Sequence, residues 1–236
     1  MMFTAIRQRR GTLGRASVVW QRKHFRMTVL LLIRHAENEW VRTGKLAGWT
    51  PGIHLNDQGV KQAALLGQRL ADAKLQAVYS SPLERAVETA EAIVQQHPDL
   101  EVQVHDGLGE VDFGDWQGKR LRKLARTRLW QVVQNYPSGA QFPNGESFRQ
   151  MQFRVVNALE EIAGQHPHGT IAAVAHSDVI KAVMAHYLGM HLDLFQRLII
   201  APASISIVAL GRMGPRIFRL NDTAHLDLSR DDKSDE

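Results

Sequence analysis

The chain has 236 residues, enough for one well-buried core, and it contains no apolar run near the roughly eighteen residues that a membrane span needs. It has no cysteine, which excludes a disulfide framework, a thiol nucleophile and thiolate metal ligation, and fits a cytoplasmic location. The formal charge of +5 is concentrated at one end: seven of the 29 basic residues and none of the 24 acidic ones lie in residues 1–26, so the remainder carries a net −2 and has no composition suggesting nucleic-acid binding.

In chain order, residues 1–26 form a basic N-terminal segment carrying Arg7, Arg9, Arg10, Arg15, Arg22, Lys23 and Arg26. Three readings stand for it: a disordered basic arm, a transit peptide poor in serine, and, the one favoured, translated sequence upstream of a start at Met27. An apolar run at 28–33, Thr-Val-Leu-Leu-Leu-Ile, predicts a buried strand ending at Arg34-His35. A helix is expected from near Asn56, with Val60, Ala63, Ala64, Gly67 and Leu70 on one face. A second strand at 77–80 leads into Ser80-Ser81-Pro82-Leu83-Glu84-Arg85, and Pro82 suits the first turn of the next helix.

A third strand, 101–104, precedes a glycine-punctuated loop from Leu108 to Gly118 that carries Glu110. The stretch from Lys119 to Ser147 is the least regular part. The segment 146–165 then places Phe148, Met151, Val155, Leu159 and Ile162 at helical spacing, the pattern of a core stripe. The strand 170–175 ends in His176-Ser177-Asp178 and runs into a helix; strands at 204–210 and 216–220 follow, and the apolar-free segment 229–236 reads as a polar C-terminal tail. Strands alternating with helices predict one α/β domain over 27–228, a mostly parallel central sheet with helices on both faces.

Ligands of such sheets gather at strand ends, and there this chain presents Arg34, His35, Arg85, Glu110 and His176. The stretches RHAENEW, SSPLERAVETA, LGEVDFGDWQG and VAHSDVIKA, in this order, resemble the histidine phosphatase superfamily, which includes the phosphoglycerate mutases. Within it, LAGWTPGIHLNDQG, FPNGESF, HLDLFQR and PASISIV are similar to a bacterial subgroup of probable phosphomutases or phosphatases. The similarity spans about Met27 to Leu226.

The resemblance implies a phosphoglycerate mutase-like fold and a metal-independent phosphatase with no cofactor, acting on a small phosphomonoester through a phosphohistidine. His35 would be the nucleophile and Glu110 the proton donor. Arg34, Arg85 and His176 would hold the phosphoryl oxygens, with Asn38 and Ser177 as further substrate contacts, and the 119–147 stretch would cover the site. Asp178, in the first turn of the helix after His176, reads as a partner of the helix dipole. The remaining histidines of the folded region, such as His54, His97 and His166, follow no metal-ligand spacing and read as surface or packing residues.

Two alternatives remain: a phosphomutase, against which the short Glu110 loop speaks, and a noncatalytic phosphate sensor, against which Glu110 itself speaks. Three positions depart from the family pattern. Ala36 replaces a glycine and should restrict the backbone beside the nucleophile. Val41 replaces an asparagine and removes a phosphate donor, and Ser177 replaces a glycine and could cap the helix it precedes. The organic part of the substrate and the oligomeric state are not encoded in these residues.

Overall fold

In the computed structural model, which describes residues 27–227, the sheet is organised around its first strand, β1 (Met27–Arg34). Its apolar residues alternate between two layers: Leu30 and Leu32 enter one core, Leu31 and Ile33 the other. A strand covered on both faces needs this continuous apolar run, and each fully buried Leu or Ile contributes about 2 kcal/mol. The expectations for residues 1–26 and 229–236 lie outside the described residues.

β1 pairs in parallel with β4 (Thr170–Ala175) and antiparallel with β5 (Ile205–Gly211). On the far side of β4 come β2 (Ala77–Ser80) and β3 (Val102–Val104), both parallel to it; on the far side of β5, β6 (Arg216–Asp222) reverses again. The order is β3-β2-β4-β1-β5-β6, and only β5 runs against the other strands. The mostly parallel sheet expected from the sequence is therefore present.

Between β1 and β2 lie the short α1 (Glu39–Arg42) and α2 (Asp57–Leu70), and α3 (Glu84–Val94) follows β2. α2 and α3 pack on one face, through Leu66, Leu70, Ala86, Ala90 and Ile93. The segment after β3 contains α4 (Leu121–Leu124) and α5 (Arg128–Asn135), so the stretch read as irregular is partly helical. α6 (Phe148–Gln165) and α7 (Ser177–Tyr187) cover the second face, through Val155, Leu159, Ile162, Val179 and Val183; a final turn, α8 (Ala224–Asp227), follows β6. Among the described residues no helix is long and apolar enough to cross a membrane.

Two local expectations are corrected. α3 starts at Glu84, because Leu83 is extended (φ −79°, ψ 134°), so Pro82 precedes the helix instead of entering its first turn. α2 starts near Asn56 as expected, and the Asn56 side chain caps it, accepting from the Gly59 N–H at 2.8 Å. The buried stripe, however, is Gly59, Ala63, Leu66, Gly67 and Leu70, while Val60 is 58% exposed and Ala64 also faces outward. Close approach decides this register: a Cβ on Gly67 would lie 2.3 Å from the Ala92 carbonyl oxygen of α3.

Candidate active site

The ends of β2, β4 and β1 are neighbours, and the backbone keeps their exits level. Ser81 N–H donates to Val174 O at 2.9 Å and His35 N–H to Ala175 O at 2.9 Å. Three adjacent exits thus deliver Ser80-Ser81, His176 and Arg34-His35 to one place. The rings of His35 and His176 lie 5.1 Å apart, tilted by 57°, and both side chains are buried.

His35 Nδ1 is 2.7 Å from the Ala36 carbonyl oxygen. A carbonyl only accepts, so Nδ1 carries the proton and the ring's lone pair is on Nε2. Burial, then Arg85 and Arg34, holds the His35 pKa well below the usual imidazole value, which keeps the ring neutral near pH 7. Ala36 donates its N–H to Thr89 Oγ1 at 3.0 Å, and Thr89 donates to Arg85 O at 2.7 Å, fixing the loop after His35 to α3. Ala36 is not among the residues with positive φ, so the methyl group in place of glycine imposes no backbone strain.

His176 has the opposite tautomer. Its Nδ1 receives a long contact from Arg85 Nη2 at 3.4 Å, and its Nε2 lies 2.8 Å from Ser81 Oγ, so Nε2 holds the proton. Burial, Arg85 and His35 also keep its pKa well below the ordinary value. His176 occupies the cap position of α7 without a side-chain capping bond, and Ser177 is the helix's first residue, so neither acts as a side-chain cap.

Arg85 is 1% exposed, a placement that a surface ion-pair role would not give it. Nη2 donates to Gly48 O at 2.9 Å, while Nε and Nη1 have no hydrogen-bond partner among the described residues. Arg34 donates from Nη1 to Ile200 O at 2.7 Å, and its buried Nε is likewise unpartnered among the described residues. Burial lowers both guanidinium pKa values, and Glu110 pulls both back up. Asn38 is fully buried: its Oδ1 accepts from Val41 N–H at 2.9 Å, capping α1, but its Nδ2 has no partner among the described residues. Buried donors without acceptors cost stability unless a ligand supplies the acceptors. Three residues here share that deficit around one space, and an oxyanion of phosphate would answer all three.

Glu110 completes the ring from a loop. Its Oε1 accepts from Val111 N–H at 2.9 Å, and its Oε2 lies 3.9 Å from His176 Nδ1. Burial, then the Asp178 carboxylate, raises its pKa to about 7 against the pull of Arg85 and Arg34. The loop is held from outside the sheet. Arg154 of α6 donates to the carbonyls of Gly107 and Gly109 at 3.0 Å each and of Glu110 at 3.1 Å, and to Glu146 Oε1 at 2.7 Å. Glu146 Oε1 accepts from Asp112 N–H at 2.9 Å, and the Trp49 indole donates to Glu110 O at 2.6 Å. Gly114 lets the loop turn at φ +49°, where a Cβ would sit 2.0 Å from Pro143 O.

These groups line a cavity of about 300 Å³. Arg34, His35, Asn38, Arg85, Glu110 and Ser177 all border it, and His176 stands behind them against His35 and Arg85. Leu121, Trp130, Val133 and Phe142 of the 119–147 stretch also line it, so that stretch does cover the site. The other histidines serve locally: His54 pairs with Glu88, His97 bonds Leu70 O at 3.1 Å, and His166 lies 2.9 Å from the Tyr79 hydroxyl.

Residues 30–223 match the family described as the histidine phosphatase superfamily, branch 1. The chain belongs to that superfamily. Phosphoserine phosphatase 1 of Hydrogenobacter thermophilus is 34% identical over 205 residues, 85% of this chain and 95% of that protein. A metal-independent phosphoserine phosphatase of Arabidopsis thaliana is 32% identical over 66% of this chain and 67% of its own length. Among solved structures, phosphoserine phosphatase of Entamoeba histolytica in complex with 3-phosphoglyceric acid superposes with a TM-score of 0.77 at 30% identity, covering 85% of this chain and 100% of that one. Bacillus stearothermophilus YhfR gives 0.80 at 27% identity over 84% and 99%. This histidine phosphatase is accordingly a phosphomonoesterase with the phosphoglycerate mutase-like α/β fold.

Sequence reasoning missed several contributors to the site. Asp178, read as a dipole partner of α7, lines the cavity and raises the Glu110 pKa. Ser81 fixes the His176 tautomer, a role its place at the end of β2 could have suggested. Arg154 and Trp49 act on backbone carbonyls, for which no side-chain motif exists.

Proposed function

We propose that the enzyme hydrolyses a small phosphomonoester in two steps through a phosphohistidine at His35, without a metal ion. The phosphoryl group is held by Arg34, Arg85 and the Asn38 amide, near the N-terminus of α7, with His176 behind them positioning the Arg85 guanidinium through its Nδ1 lone pair. Two guanidiniums on the phosphoryl oxygens supply the charge stabilisation that a metal ion otherwise provides. His35 Nε2 forms a bond to phosphorus as the bond to the ester oxygen breaks, and the protonated Glu110 carboxyl gives its proton to that oxygen. Glu110, now a carboxylate, takes a proton from water as the water oxygen attacks phosphorus; phosphate leaves and the imidazole is restored.

The observation that carries this reading is the His35 Nδ1 contact with the Ala36 carbonyl, which commits the lone pair to Nε2 in a cavity that also holds Glu110. The experiment is phosphate release from a panel of phosphorylated metabolites with a chelator present. Turnover undiminished by the chelator is expected; loss of turnover on chelation overturns the metal-free mechanism. With 3-phosphoglycerate, free phosphate should exceed 2-phosphoglycerate, since the Glu110 loop is short. We assign the activity to residues 27–228, in the cytoplasm, so a chain lacking residues 1–26 should keep its kcat/KM.

A further inference from the structure

The phosphoryl site occupies one end of the cavity. Beside the phosphate donors the cavity is lined by Trp40, Val41 and Leu46 from the segment after β1 and by Leu121 and Trp130 from α4 and α5, with Lys45, Gln134, Asp178, Lys181 and Gln196 as its further polar groups. None of the five apolar side chains is buried; Leu121 is 36% exposed and the others are half-buried. Apolar surface is therefore left uncovered inside a concavity that continues from the phosphate donors, the usual make-up of a pocket for an organic ligand. Val41 adds to this wall at a position where the resembling family has an asparagine.

The lysines in the same cavity already have partners. Lys181 Nζ donates to Asp178 Oδ1 at 3.2 Å and to Gln196 Oε1 at 3.1 Å. Lys45 Nζ sits 3.6 Å from the centroid of the Trp40 ring, held by the indole face. An amino acid's ammonium and carboxylate would compete with the Asp178–Lys181 pair for partners, whereas an apolar group leaves that pair intact.

We infer that this enzyme's preferred substrate is the phosphate monoester of a hydrophobic alcohol, whose apolar part lies against Trp40, Val41, Leu46, Leu121 and Trp130. The inference rests on the reading above that the phosphoryl group sits at His35. Its test is a homologous series of n-alkyl phosphates from ethyl to octyl, compared with phosphoserine, in the presence of a chelator. The leaving-group pKa is nearly constant along the series, so chemistry is held fixed while buried area grows.

kcat/KM should rise by up to about fourfold per methylene until the cavity is filled, and hexyl phosphate should surpass phosphoserine. Leu121→Ser and Trp130→Ser should each flatten the rise. A flat or falling series in the wild-type enzyme, or phosphoserine preferred over hexyl phosphate, overturns the inference while leaving the chemistry at His35 intact. Absence of turnover on every ester overturns both.

Discussion

His35 and His176 leave adjacent parallel strands, and their spacing follows from the ladder between β1 and β4, in which Arg34 stands opposite Ala175. Glu110 stands across the cavity on a loop with no such ladder, positioned by the Arg154 guanidinium, the Glu146 carboxylate and the Trp49 indole. The half with the proposed nucleophile thus inherits its geometry from the sheet, while the half with the proposed acid depends on a few side-chain bonds to the loop backbone. Where the two halves meet, Arg85 and Asp178 set the electrostatics: Arg85 helps keep His35 neutral, and Asp178 helps keep Glu110 protonated up to about pH 7.

The comparison is broken most completely at the nucleophile. His35→Ala should abolish turnover on alkyl and aryl phosphates alike with the fold retained, as read by steady-state kinetics and circular dichroism, because the proposed mechanism puts the covalent step on this ring. Residual wild-type-like turnover would remove His35 from the mechanism.

The acid half should fail selectively. Arg154→Met leaves Glu110 in place but frees its loop, and misplacement of a reacting group costs up to about a hundredfold. In the rapid-quench rate of His35 phosphorylation that loss should fall on alkyl phosphates, which need a proton on the leaving oxygen, much more than on p-nitrophenyl phosphate, which scarcely does, whereas steady-state turnover should fall for both because the second step needs Glu110 as base. Arg154→Lys should recover part of it. An equal loss of phosphorylation rate on both ester types would make Arg154 merely a stabiliser of the fold.

The smallest expected effect is a shift in pH dependence. Glu110 acts as an acid only while protonated, so kcat on alkyl phosphates should fall as pH rises through about 7. His35 stays neutral to well below its usual value, so the acid limb lies far lower. Asp178→Asn removes the negative charge that helps raise the Glu110 pKa, leaving Arg85 and Arg34 to lower it, so the alkaline limb should move to lower pH. A limb that stays in place would show that Asp178 does not tune the acid.

Legibility in the sequence divides along the same line. The sheet half was readable because apolar runs end in Arg34-His35, Ser80-Ser81 and Ala175-His176, and strand order then brings those ends together. Glu110 could be picked out by its family motif, but the means of holding it could not: Arg154 sits among core residues of α6 with nothing to distinguish it from a surface arginine. Helix registers were legible only to the turn. The α2 stripe shifted from Val60 to Gly59 because backbone approach at the glycines, of Gly59 to Glu37 and of Gly67 to Ala92 of α3, and not apolarity, set which side is buried. Asp178 does stand in the first turn of α7, as read, but that position explains a carboxylate without any cavity, so its place beside Glu110 was not legible.

The division of labour between the halves is tested most directly by a rapid-quench measurement on Glu110→Gln with p-nitrophenyl phosphate. Attack by His35 on this ester needs no acid, whereas hydrolysis of the phosphohistidine needs the carboxylate as base, a contribution of about a hundredfold to ten-thousandfold. The account predicts a burst of one equivalent of nitrophenolate per enzyme, followed by slow turnover, with base-stable phosphate accumulating on His35. A single slow phase with no burst, or a phosphorylated residue other than His35, would contradict it.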